Sequence, residues 1–207
     1  MEYASADPSV VRSIRHRVLL NAWLRALSKP HSLPMLTDFD PETRRGEFDE
    51  MMAFDVEDGD GTARFLITQE GSRLTATYGS EHILPEARTN RYLDDAIGAD
   101  RYVRVVSCYL TCVARKRPTY SITTVRDPDD KEVSYERLLL PFGRACDVEQ
   151  IIGAYNMISI EGNFTLSNLM GHRPMAAPKR LVNAVIDREP ARRPAGVRAS
   201  DDIVEVG

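Results

Sequence analysis

Ser134-Tyr135-Glu136-Arg137-Leu138-Leu139-Leu140-Pro141-Phe142-Gly143 begins charged and turns apolar, and its reading decides the fold. A strand sheltered on one face alternates apolar with polar residues. Leu138 to Leu140 do not alternate, so both faces of this strand are expected to be covered. The stretch follows a turn at Asp127-Pro128-Asp129-Asp130 and precedes a second apolar run, Ile151-Ile152-Gly153-Ala154-Tyr155-Asn156-Met157-Ile158. The two runs read as neighbouring antiparallel strands closing a sheet. Glu136 and Arg137 are adjacent on the first of them and point to opposite faces, so that one approaches a cavity while the other meets a covering helix. A buried arginine requires a carboxylate or a ligand anion; the alternative is an ion pair at the solvent edge.

Upstream, Asp100 opens a long helix whose apolar stripe is Tyr102, Val105, Val106, Tyr109, Cys112 and Val113. Arg115-Lys116-Arg117 suit its C-terminal dipole and Pro118 ends it. Thr119 to Arg126, β-branched and aromatic, reads as the next strand. Met52–Val56 and Ala63–Thr68 flank Glu57-Asp58-Gly59-Asp60-Gly61, a hairpin connection. That acidic turn does not fit a calcium loop, because Val56 and Ile67 fall on ligand positions. Between Gly71 and Ala99 the chain is irregular, with short helical turns expected around a cavity.

At the N-terminus, Pro8 just inside Asp7 marks a helix expected to run to about Ser28, before Lys29-Pro30. Its stripe is Val11, Ile14, Val18, Ala22 and Ala26, flanked by Leu19, Trp23 and Leu27, and it is expected to cover a sheet face or form a dimer interface. Asp40-Pro41-Glu42 starts a shorter helix to about Glu50. From 172 to 198, four prolines and seven Lys/Arg against two acids describe a mobile tail, with a short helix possible at Arg180–Ile186.

A chain of 207 residues, 43% hydrophobic, builds one core with extensions. The expected division is an N-terminal helix at 1–30, the main domain at 31–165 and a flexible basic, proline-rich tail at 166–207. The formal net charge of −4 argues against a general polyanion binder, so nucleic acid is not an expected partner, although the basic tail keeps it as an alternative. Cys108, Cys112 and Cys146, an odd number without an export segment, read as reduced thiols in a cytosol. No apolar run approaches the roughly 20 residues that span a bilayer.

The order helix, helix, two strands, irregular segment, long helix, three strands resembles that of a PAS domain. Leu33-Pro34 with Asp38-Phe39-Asp40-Pro41, Phe65 through Gly71-Ser72 and Leu74, and Tyr135 through Pro141 are similar to stretches of alphaproteobacterial stand-alone PAS proteins. The resemblance implies an α+β fold: a five-stranded antiparallel sheet, helices on one face, and the N-terminal helix on the other face or between protomers. It further implies a non-catalytic sensory or regulatory module, cytoplasmic and homodimeric, that binds a small ligand or a protein partner in signal transduction.

The candidate ligand-binding residues are Tyr78, Tyr92, Tyr109, Cys112, Tyr120, Tyr135 and Arg137, which make a mostly apolar pocket with phenolic hydroxyls as its polar groups. No metal or cofactor is expected. Cys108 and Cys112 are two thiols where a structural zinc needs four ligands, and the long helix has no histidine for haem, His82 lying in the irregular segment. The alternative is an isomerase- or dehydratase-like enzyme on a similar α+β cone, with His82 and Asp94 or Asp95 as its acid/base pair. No nucleophile elbow, phosphate loop or metalloprotease helix is present.

Overall fold

Seven strands lie side by side in the computed structural model in the order β1-β7-β4-β5-β6-β2-β3, with β5 at the middle. The structure describes residues 2–27, 32–41, 47–59, 61–72, 74, 87–126, 132–144, 147–159 and 179–187. In chain order the strands are β1 (Ala4–Ala6), β2 (Met51–Gly59), β3 (Thr62–Glu70), β4 (Thr119–Arg126), β5 (Glu132–Arg144), β6 (Asp147–Ser159) and β7 (Lys179–Ile186). The helices are α1 (Ile14–Ala26), α2 (Leu93–Ile97) and α3 (Ala99–Arg115).

The class is α+β, as expected, but the sheet is mixed and larger than the five antiparallel strands anticipated. The run β4-β5-β6-β2-β3 is antiparallel throughout. β7 then extends it antiparallel along β4, and β1 pairs parallel to β7 through Ala4↔Ala184, Ser5↔Val185 and Ala6↔Ile186. The segment read as tail, or as a short helix at Arg180–Ile186, therefore contributes a strand. Its Val182, Val185 and Ile186 are β-branched residues that gain a partner only at the edge of β4, which lies some sixty residues away in the chain.

Leu138 and Leu140 enter one apolar layer with Tyr120, Ile122, Phe142, Ile152 and Ile186, while Leu139 enters the other with Phe54, Phe65, Ile67 and Ile151. Both faces of β5 are thus covered, which is why the triple leucine does not alternate. α1 covers the first layer through buried Leu19, Leu20 and Trp23, and the Trp23 indole donates to the Pro141 carbonyl at 2.7 Å. α3 covers the second through Cys108, Tyr109 and Cys112.

α1 starts later than expected. Asp7 caps only a short 3-10 turn at Pro8–Val10, and Ser13 caps the α-helix by accepting from the His16 amide. The buried side is consequently His16, Leu19, Leu20, Ala22 and Trp23, leaving Ile14 77% exposed. The hairpin is tighter than expected as well. Pairing persists to Gly59↔Thr62, and Gly61 adopts φ 84°, a left-handed conformation that glycine takes without strain. Of the helix expected from Asp40 to Glu50, only a 3-10 turn at Glu47–Glu50 falls within the described residues, positions 42–46 lying outside them.

Candidate functional site

Arg137 projects from β5 into the layer beneath α3 and is 9% exposed. Its Nη1 donates to Cys108 Sγ at 3.0 Å, and its guanidinium carbon lies 5.9, 5.7 and 5.8 Å from the ring centres of Tyr109, Tyr135 and Tyr155. The distances suit cation–π attraction. Tyr109 and Tyr155 share a hydrogen bond of 2.6 Å between their hydroxyls, and burial, reinforced by Tyr109, pushes the Tyr155 phenol well up from its ordinary value. The Tyr155 phenol is therefore neutral near pH 7. A guanidinium keeps its charge under all ordinary conditions. Arg137 is thus a buried cation whose hydrogen-bond and ring neighbours are Cys108 and three tyrosines. It forms no salt bridge among the described residues, and its Nε has no hydrogen-bond partner.

Gly153 makes this arrangement possible. Tyr155 lies two residues further along β6 on the same face, and its ring folds back over Gly153 so closely that a Cβ there would stand 2.6 Å from the hydroxyl oxygen. Any side chain at 153 would displace the ring and separate the two phenols. The sheet register places Tyr155 directly opposite Arg137.

The other face of β5 carries a second polar cluster. Glu136 Oε1 accepts from the Tyr120 hydroxyl at 2.8 Å, the Tyr120 oxygen accepts from the Arg12 amide at 3.1 Å, and His16 Nδ1 stands 3.4 Å from Glu136 Oε2. Burial, opposed by the Glu136 charge, pulls the His16 imidazole down to about 4. Burial likewise raises the Tyr120 phenol. This cluster locks α1 onto the sheet.

The candidate residues accordingly divide. Tyr109, Cys112, Tyr135 and Arg137 lie in the α3 layer, where Cys112, its thiol pushed up by burial, approaches the Leu139 carbonyl at 3.9 Å. Tyr120 belongs to the opposite layer, because its register against Leu138 points it toward α1. Glu136 and Arg137 do face opposite sides, with Glu136 meeting α1. Tyr92 stands apart from both clusters: its hydroxyl donates to Glu57 at 2.6 Å and Arg64 sits 3.6 Å over its ring. Asp94 is held by Arg64 at 3.0 Å and is partly exposed, with Asp95 beside it. Tyr78, His82 and Cys146 lie outside the described residues. Cys108 and Cys112 are free and buried, and among the described residues no group of three or more His, Cys, Asp or Glu side chains could hold a metal ion.

Three residues of these clusters were not singled out by the sequence reading: Cys108 as the partner of Arg137, Tyr155 and His16. Tyr155 was within reach of sequence reasoning, because closing the β5–β6 hairpin next to Arg144 and Asp147 brings it opposite Arg137. His16 lacked a signal, since its burial depends on where α1 begins. No protein-family model, no curated protein and no solved structure matches this chain.

Proposed function

We propose that this protein is a non-catalytic, PAS-type sensory or regulatory module, cytoplasmic and homodimeric, which takes a small ligand beneath α3 and passes the signal to a protein partner. The observation that carries the reading is the polar interior of the α3 layer. A layer serving stability alone would be filled with apolar groups, whereas this one buries Arg137, Cys108 and a pair of hydrogen-bonded phenols. The chain succession agrees with it: two paired strands, a helical segment, a long helix and three consecutively paired antiparallel strands. The isomerase-like alternative needs an acid inside a cavity, and Asp94 instead pairs with Arg64 at the surface.

Native mass spectrometry of freshly purified full-length protein tests the reading. The expected result is a dimer that carries a small molecule released on denaturation. A bare monomer that takes up no small molecule from a metabolite panel overturns it.

A further inference from the structure

α3 meets the sheet through Cys108, Tyr109 and Cys112, yet its opposite side is apolar as well. Ala99, Val103, Val106, Leu110 and Val113 follow one another at spacings of four, three, four and three residues, the repeat of a coiled-coil seam. At about 100° per residue, Val103 and Leu110 stand about 160–180° around the helix from Cys112, so the middle of this row points away from the core. Val103 is 73% exposed and Ala99 is exposed, while Val106, Leu110 and Val113 are half-buried. Among the described residues, β4, β5 and β7 pack on α3 from the sheet side and α2 adjoins its start. A helix that is apolar on both sides is normally enclosed on both.

The row is complementary to itself. When two α3 helices lie antiparallel about a twofold axis near Cys108, Val103 meets Val113 of the partner subunit and Val106 meets Leu110 of the partner subunit. The charges at the two ends agree with that direction. Asp100 in the first turn and Arg115 in the last are both exposed, lie on the same flank of the row and form no ion pair with one another or with any other described residue. Antiparallel pairing sets Asp100 beside Arg115 of the partner subunit at each end and opposes the two helix dipoles, whereas a parallel pair would align the dipoles and bring the two Arg115 ends together. α1, the other element expected to form a dimer contact, spends its apolar side on the sheet through Leu19, Leu20 and Trp23.

From these observations we infer that the outer face of α3 is a homodimer interface, on which a second copy of this chain lays its own α3 antiparallel, with Asp100 and Arg115 paired across each end. This inference rests on the homodimeric part of the reading above and names the surface that part requires. A contact of about two heptads is smaller than the standard interface of ~1,600 Å², so the dimer is expected to exchange with monomer at micromolar concentrations. The inner side of the same helix carries Cys108 and Tyr109, which contact Arg137. A ligand beneath α3 and a partner copy above it would thus act on one element.

Sedimentation equilibrium of the full-length protein across the micromolar range provides the test, with circular dichroism checking that each variant keeps the parental fold. The parent is expected to dimerise. Val103→Glu, at a position 73% exposed in the single chain, should weaken the dimer by about tenfold or more, because the seam would then bury an unpaired carboxylate. Asp100→Arg and Arg115→Asp, both on exposed residues, should each weaken it by about threefold or more. The double variant should recover parental affinity, and an equimolar mixture of the two single variants should form a heterodimer in which both ends are again paired. A dimer indifferent to Val103→Glu overturns the α3 interface while leaving a homodimer standing. Sensitivity to Val103→Glu without recovery in the double variant and without the heterodimer overturns the antiparallel arrangement. A parent that stays monomeric removes the interface together with the homodimeric part of the reading, and retention of a small molecule in native mass spectrometry would then show that the ligand-binding part survives alone.

Discussion

His16 on α1 and Glu136 on β5 meet with 3.4 Å between Nδ1 and Oε2, and neither side chain reaches solvent. The contact crosses the interface between the N-terminal helix and the central strand of the sheet. Tyr120 stands edge-on to the imidazole at 6.4 Å and donates to the other carboxylate oxygen. The helix is therefore docked by leucines and Trp23 together with a polar cluster whose protonation depends on solvent pH.

Stability should fall as the solution is acidified below neutrality, because His16 titrates near 4 when folded and near 6.5 when unfolded. Between these values the unfolded chain binds a proton that the folded chain refuses, so the contribution is complete above pH 6.5 and is lost on the way down to 4. At about 1.36 kcal/mol per unit the loss approaches ~3 kcal/mol. Urea unfolding at pH 7.5 and 4.5 measures it, and His16→Gln should show a shallower pH dependence than the parent. Equal slopes in the two proteins would remove His16 from the account.

Trp23 is the single tryptophan of the chain and is fully buried against the sheet, so its emission reports the docking of α1. Trp23→Phe leaves the Pro141 carbonyl without its indole donor, which is expected to cost about 1–3 kcal/mol beyond the loss of packing. Removing residues 2–27 exposes Leu138, Leu140 and Ile152 and should give insoluble protein, as light scattering would show. A soluble truncated protein of parental stability would contradict the role of α1.

β7 fills a position inside the sheet between β1 and β4, and Ile186 on it is completely buried. Ile186→Ala should lower stability by about 2–5 kcal/mol. Ending the chain before Lys179 uncovers the edge of β4 and should cause aggregation or a melting point lower by well over 5 °C. An unchanged melting temperature for either variant would mean that β7 does not hold the fold.

Gly153→Ala should displace the Tyr155 ring and break its hydrogen bond to Tyr109, since a Cβ would lie 2.6 Å from the phenol oxygen. A cost of about 1–3 kcal/mol is expected from the forced shift, accompanied by a change in near-ultraviolet circular dichroism from the buried tyrosines. A parental spectrum and melting curve would show that the ring accommodates the methyl group.

Much of the architecture was legible in the sequence because it is encoded locally. The unbroken Leu138-Leu139-Leu140 run demanded cover on both faces, Asp-Gly chemistry demanded the hairpin, and the Tyr102-to-Val113 stripe demanded a helix lying on a core. The opposite orientation of Glu136 and Arg137 followed from the two-residue period of a strand. Tertiary structure decided the rest. Whether Lys179–Ile186 forms a strand depends on the free edge of β4, which its own composition of charges flanked by prolines conceals. Which face Tyr120 meets is fixed by its register against Leu138, and the burial of His16 by the helix starting at Ser13 instead of Asp7. The sequence named Arg137 as a candidate, but only the pairing of β5 with β6 and the docking of α3 surrounded it with Cys108, Tyr109 and Tyr155, since contacts between elements distant in the chain leave no periodic trace in any one of them.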